Sequence, residues 1–283
     1  MSMESMEPFE SAENFNEDVG MFEAATHSSQ VNLTVPVLKS IFVVQDGSQQ
    51  DPTAIGFAEA IASRCGASLE VISDVENAEQ ILTRIGGSSS HMVVLPVPFG
   101  QDYDELAHDS LGAVVDQVLL KSGGPVLCIR EPQEPAQIQA ALNSVIVPIV
   151  ISDELASKAV SWGFFLTPAG GRIDLVAIAD RADLDGVKHL VSEEMRTIHP
   201  DQLSRAMTRE IGGLVSAAQK RGSAEGRTIH VETRVGRFVP TTLHELHDRP
   251  HMLICGITHE HSAASFHRGV DLLLESRGAV LFV

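Results

Sequence analysis

From Val37 onward, short apolar runs alternate with longer stretches in which apolar residues return every three or four positions. The runs "KSIFVVQ", "SLEVIS", "HMVVLPV" and "PVLCIR" are built from Val, Ile and Leu without strict alternation, which is how strands buried on both faces of a parallel sheet read. Between them, "DPTAIGFAEAIASRCG", "NAEQILTRI" and "SLGAVVDQVLLKSGG" carry the helical period. Repeated strand–helix units predict a parallel α/β layer with right-handed crossovers. A proline- and charge-rich stretch, "EPQEPAQIQA" (131–140), reads as a linker. After it the pattern starts again. "LNSVIVPIV" opens, "SDELASKAVSWGFFLTPAGG" reads as a helix and "RIDLVAIAD" as a strand. A long helical region then covers about 190–222, followed by "TIHVETRV", "PTTLHELHD", "HMLICGI" and "AVLFV".

The restart is an internal repeat. Ser122-x-Gly124-x-Val126-Leu127 returns as Ser276-x-Gly278-x-Val280-Leu281, and Lys39-Ser40-Ile41 matches Asn143-Ser144-Val145. The first half is shorter by one strand and one helix, with no counterpart of 173–222. The expected organisation is an acidic disordered tail over 1–36, an abbreviated first domain over 37–130, a linker over 131–142 and a full second domain over 143–283.

Charge refines this picture. The net charge is −18, but residues 143–283 hold seventeen acids against fifteen bases. The imbalance sits in 1–36, with seven acids and no Lys or Arg, and in 37–130, with twelve acids against five bases. An acidic field of this kind repels phosphate backbones, so nucleic acid is not an expected partner. No apolar run approaches the ~20 residues a membrane span needs, and the acidic N-terminus does not read as a secretory signal. The three cysteines (Cys65, Cys128, Cys255) are far apart and form no C-x-x-C pair, which suits small core thiols in a reducing cytoplasm.

"SIFVVQDGS" before a helix, together with "LGAVVDQVLLKSGGPVLCIR" closing the first half, resembles the universal stress protein family. The resemblance covers about 37–130 and 143–283, as a tandem member. It implies two Rossmann-like α/β domains with parallel five-stranded sheets, the first abbreviated here, and pairing of domains through their last strands within one chain; it leaves homodimerisation open. It also implies an ATP site in many members. That site is a Gly-x2-Gly-x9-Gly-(Ser/Thr) loop, with an Asp at the end of the opening strand beside the adenosine. Other members bind no nucleotide and act in stress regulation.

Such a site needs backbone N–H groups at a helix N-terminus and glycines that let the chain approach phosphate. In the first half Asp46-Gly47-Ser48 supplies the adenosine side. The phosphate side carries Val97 at the first loop glycine, Gly100 with eleven rather than nine residues between it and Gly112, and Asp102, Asp104, Glu105 and Asp109 without a base between them. In the second half Val150 replaces the Asp. Gly256-x2-His259-x9-Gly269 keeps the spacing, with Arg268 alongside. An ungapped alignment of the two endings instead places Phe266 and His267 on the Gly-Ser pair, where Phe266 would obstruct phosphate and Gly269 would lie one turn inside the helix.

Six of the twelve histidines lie between 244 and 267: His244, His247, His251, His259, His261 and His267. With Cys255 they offer Zn²⁺ or Cu²⁺ ligands through the 255–267 loop, although no diagnostic zinc spacing appears. Ser161 and His189 form no nucleophile elbow, and Trp162 sits in an apolar helix as a core residue. The expected function is therefore non-enzymatic: stress-linked regulation through an unidentified protein partner, with degenerate nucleotide sites and no resident cofactor. The alternatives are an ATP or AMP sensor, using Asp46, Gly47, Ser48, Gly100 and Gly112 on one side or Gly256, His259 and Arg268 on the other, and metal binding by the histidine-rich loop.

Overall fold

The computed structural model describes residues 31–86, 90–100, 110–150, 154–180, 208–244, 251–258 and 263–283. Strands β1 (Ser40–Val44), β2 (Ser68–Ile72), β3 (His91–Pro96) and β4 (Val126–Ile129) belong to the first half. Strands β5 (Ser144–Ile149), β6 (Arg172–Asp180), β7 (Thr228–Gly236), β8 (Met252–Cys255) and β9 (Ala279–Phe282) belong to the second. Among the described residues these form one nine-stranded sheet in the order β2-β1-β3-β4-β9-β8-β5-β6-β7. Every neighbouring pair is parallel except β4 and β9. The α/β class with mainly parallel strands holds as expected.

The topology locates the repeat. The second half lies in the order β7-β6-β5-β8-β9 and the first in the order β2-β1-β3-β4. Strand β6 therefore does have a counterpart, β2. The unit without one is helix α6 (Gly212–Glu225) and strand β7, not the whole of 173–222. The two closing strands meet antiparallel, with Val126 opposite Phe282, Leu127 opposite Leu281, Cys128 opposite Val280 and Ile129 opposite Ala279. Pairing through the last strands thus takes place within the chain.

Helices follow from local signals. Helix α1 (Asp51–Cys65) starts with Pro52, whose missing N–H costs nothing in a first turn, and ends at Gly66, whose N–H donates to the Ala62 carbonyl. Helix α2 (Ala78–Ile85) is capped by Asn77, whose side-chain oxygen accepts from the Gln80 N–H at 3.0 Å. Helix α3 is Ala113–Lys121. The linker is a correction to the sequence reading: it contains a helix, α4 (Pro135–Asn143). Pro135 opens its first turn, the Gln137 side chain accepts from the Glu134 N–H at 2.8 Å, and Ile138, Ala141 and Leu142 are buried. The prolines there start a helix instead of preventing one.

Helices α5 (Glu154–Leu166), α7 (Phe238–His244) and α8 (Ala264–Glu275) complete the second half. The sheet separates two apolar clusters, and each draws residues from both halves. One holds Ile41, Phe57, Val147, Trp162, Leu175 and Leu281; Trp162 is a core residue that meets Phe165 edge-on with ring centroids 5.1 Å apart. The other holds Phe42, Leu95, Val115, Leu253, Phe266 and Phe282.

Candidate functional site

In an open parallel sheet, ligands bind beyond the carboxyl ends of the strands where the strand order reverses. Here that point falls between β1 and β3 in the first half and between β5 and β8 in the second.

The two loops flanking the first-half crevice are joined through one carboxylate. One oxygen of Asp46 accepts from the Ser48 N–H at 3.0 Å, and the other accepts from the Gly100 N–H at 2.7 Å. The carboxylate expected beside an adenosine thus joins the loop after β1 to the loop after β3. Gly100 takes φ +67°, a left-handed conformation that glycine adopts without a side-chain penalty. Gly47 is held from the other side, its N–H donating to Asp51 at 2.9 Å, and the Asp46 N–H also reaches Asp51 at 3.3 Å. Burial lifts the Asp51 carboxyl above its ordinary range, more than these backbone donors lower it. Gly112 precedes α3 as its N-cap and donates to the Ser110 hydroxyl at 3.2 Å. The structure joins Asp46, Gly47, Ser48 and Gly100 into one hydrogen-bonded knot. Asp102, Asp104, Glu105 and Asp109 lie outside the described residues.

The second-half crevice is a cavity of about 100 Å³ lined by Pro148, Val150, Leu155, Cys255, Gly256 and Arg268, among others. Sites for drug-sized ligands run to roughly 300–1,000 Å³. A Cβ at Gly256 would lie 2.5 Å from the Leu155 carbonyl oxygen, so this glycine lets the start of α5 close down on the end of β8. Gly269 is inside α8, and a Cβ there would lie 2.8 Å from the Phe282 ring. Its family-like spacing from Gly256 is therefore a packing requirement, in agreement with the ungapped alignment. Phe266 corrects the remaining expectation: it is 2% exposed and turned into the core, so it does not stand in the way of a phosphate. Arg268, the cation on this side, pairs with Asp180 at the end of β6, Nε to Oδ2 3.6 Å. Thr258 and Ser265 hydroxyls meet at 3.2 Å across the first turn of α8. His259 lies outside the described residues, so Gly256 and Arg268 are the members of that trio the structure places at one cavity.

Of the six clustered histidines, His247, His259 and His261 lie outside the described residues. His244 and His267 are exposed and His251 is buried before β8. No group of three or more His, Cys, Asp or Glu side chains converges as a metal site among the described residues. Burial pushes the Cys255 thiol up to about 12, and the Cys128 thiol higher still, so neither is a ready thiolate. A larger groove of about 840 Å³ runs between α1 and α4. Its charged lining residues, Glu59 and Glu134, are both acidic and unsuited to phosphate. No described helix is long and apolar enough to cross a membrane.

Sequence reading missed two buried groups. Arg130, 6% exposed, follows β4 and donates to the Leu273 carbonyl at 3.1 Å and to the Leu274 carbonyl, holding the C-terminal turn of α8 from the other half. A basic residue directly after "VLCI" was the available signal. The second group is a repeated pair. A Cβ at Gly124 would lie 2.5 Å from the His91 carbonyl oxygen, and one at Gly278 2.8 Å from that of His251. The Ser-x-Gly repeat thus marks where each closing strand passes a buried histidine.

Comparisons with protein-family models and with curated proteins each give no match. Among solved structures, the cytoplasmic domain of a prokaryotic cation chloride cotransporter is similar at a TM-score of 0.44 and 13% identity, over 94% of this chain and 90% of that one.

Proposed function

We propose that this chain is a non-enzymatic regulatory protein of universal stress protein type, acting through its surfaces on a protein partner, with both nucleotide crevices degenerate. The observation that carries this reading is the Asp46 carboxylate, whose two oxygens are taken up by the Ser48 and Gly100 N–H groups. An adenosine there would have to share a carboxylate already committed to charge-assisted hydrogen bonds between the two crevice loops. The second crevice supports the same reading, because about 100 Å³ is far short of a nucleotide and Arg268 already faces Asp180. A non-enzymatic role is further supported at Ser161, whose hydroxyl donates to the Ser157 carbonyl at 2.8 Å within α5.

Denaturing freshly purified protein and analysing the released small molecules and metals by mass spectrometry tests the proposal. The expected result is no nucleotide and no metal in stoichiometric amount, and no heat of ATP or AMP binding by titration calorimetry. ATP or AMP near one per chain overturns it in favour of a nucleotide sensor. Stoichiometric zinc or copper overturns it in favour of the histidine-rich loop.

A further inference from the structure

We propose that the outer edge of β2 seats a second copy of this chain, the two β2 strands pairing antiparallel across a two-fold axis at Val71. The large apolar side chains that stand exposed among the described residues are Val35, Val37, Leu69 and Val71, at 66%, 64%, 37% and 45%. Leu69 and Val71 are on β2, and the two valines are on the segment entering its neighbour β1. The exposure of Leu69 and Val71 on the edge strand itself is the first observation.

The second half shows what this fold does with the same positions. Ile41 pairs with Leu69 and Val43 with Val71, as Val145 pairs with Ile173 and Val147 with Leu175. The repeat therefore sets Leu69 on Ile173 and Val71 on Leu175. Both second-half residues are fully buried, in one cluster with Leu214 and Ala218 of α6, and β7 pairs with β6 along nine residues. The first half lacks that helix and that strand, so the same seat is bare among the described residues.

Backbone direction agrees. The Ser68 N–H donates to the Lys39 carbonyl and the Ile72 carbonyl accepts from Gln45, so residues 68, 70 and 72 turn their polar groups toward β1. Leu69, Val71 and Ser73 turn theirs outward. The chain already closes one edge against a copy of its own fold in the antiparallel sense, at β4 and β9. Charge disfavours one register. Centring on Glu70 sets two carboxylates directly opposite, which is unfavourable, whereas centring on Val71 sets Glu70 against Ile72 and stacks Val71 on Val71 with Leu69 diagonal to it. Two copies at −18 each also repel at long range, so association strengthens as salt screens them. One short strand and a few side chains make a small contact, placing the dimer in the weak, concentration-dependent class.

Sedimentation equilibrium of the full chain tests this, read at low and high sodium chloride. The expected result is a reversible shift from 30.4 kDa toward twice that mass with rising concentration, stronger at high salt. Val71→Lys weakens the association at least ~10-fold with an unchanged far-UV spectrum. As a second readout in a Cys65→Ser background, Val71→Cys forms an interchain disulfide on mild oxidation. Leu69→Cys, about four residue steps from its own copy in this register, does not. A protein that stays monomeric under all these conditions overturns the proposal and leaves the edge to the acidic tail or a different partner. So does a dimer that Val71→Lys leaves intact, or a Val71→Cys chain that fails to cross-link.

Discussion

Asp46 joins two loops that are 54 residues apart through the Gly100 N–H. Asp46→Ala removes both of its charge-assisted bonds, and urea denaturation is expected to show a loss of about 1.5–3 kcal/mol. ATP titration is expected to be as flat for this variant as for the parent, which separates a structural carboxylate from a ligand-binding one. Asp51 gives stability a dependence on pH. Burial raises its carboxyl above the ordinary value of 3.8, so the folded state takes up its proton before the unfolded state does. Its charged form therefore costs stability at neutral pH, and the cost is relieved as pH falls toward the ordinary carboxyl range. Against Asp51→Asn, which keeps an acceptor for Gly47 but cannot titrate, the parent is expected to gain relative stability on acidification over that window. Denaturant midpoints at neutral and mildly acidic pH check the sign. The Asp-Gly-Ser turn was legible in the sequence. The commitment of its carboxylate to Gly100 was not, because that bond depends on strand order rather than on local pattern.

At the scale of elements, the strands and helices were legible because their periods differ and their punctuation is explicit: Pro52 and Asn77 at helix starts, Gly66 and Gly226 at helix ends. Helix α4 was not, because Pro132, Pro135 and flanking charges look like linker chemistry. Only the buried Ile138 and Leu142 show what its inner face packs against. The glycines of the candidate phosphate loop were legible as a spacing and misleading as a function. Gly256→Ala is expected to cost about 1–3 kcal/mol in denaturant unfolding, because its Cβ meets the backbone of Leu155 and α5 must shift. Arg130→Ala strips the terminal carbonyls of α8 of their buried donor and is expected to destabilise by about 1–3 kcal/mol. Hydrogen exchange should then show faster opening at Leu272–Ser276 than elsewhere in the second half.

At the scale of the molecule, the internal repeat foretold two halves of one kind, and the shared Ser-x-Gly endings foretold matching closing strands. What remained hidden was how the halves join. Antiparallel pairing of β4 with β9 depends on two similar edges meeting, and nothing in either strand's own pattern states its neighbour. Each apolar cluster takes residues from both halves, so unfolding one half exposes the other. Calorimetry is accordingly expected to give one transition, with calorimetric and van't Hoff enthalpies equal; two resolved transitions would mean that the halves stand alone. The two buried thiols give an independent check. A thiol reagent is expected to titrate Cys65 in the native protein and Cys128 and Cys255 only on unfolding.

Strand β9 has a further consequence during synthesis. It is the last of the nine strands to leave the ribosome, yet it occupies the central position of the sheet, between β4 and β8. Until it emerges, β4 presents an unpaired edge and the first half waits with one side open. Chaperone demand on a nascent chain of this design is therefore greatest until β9 emerges to join β4 to β8, so the sheet is sealed at its middle.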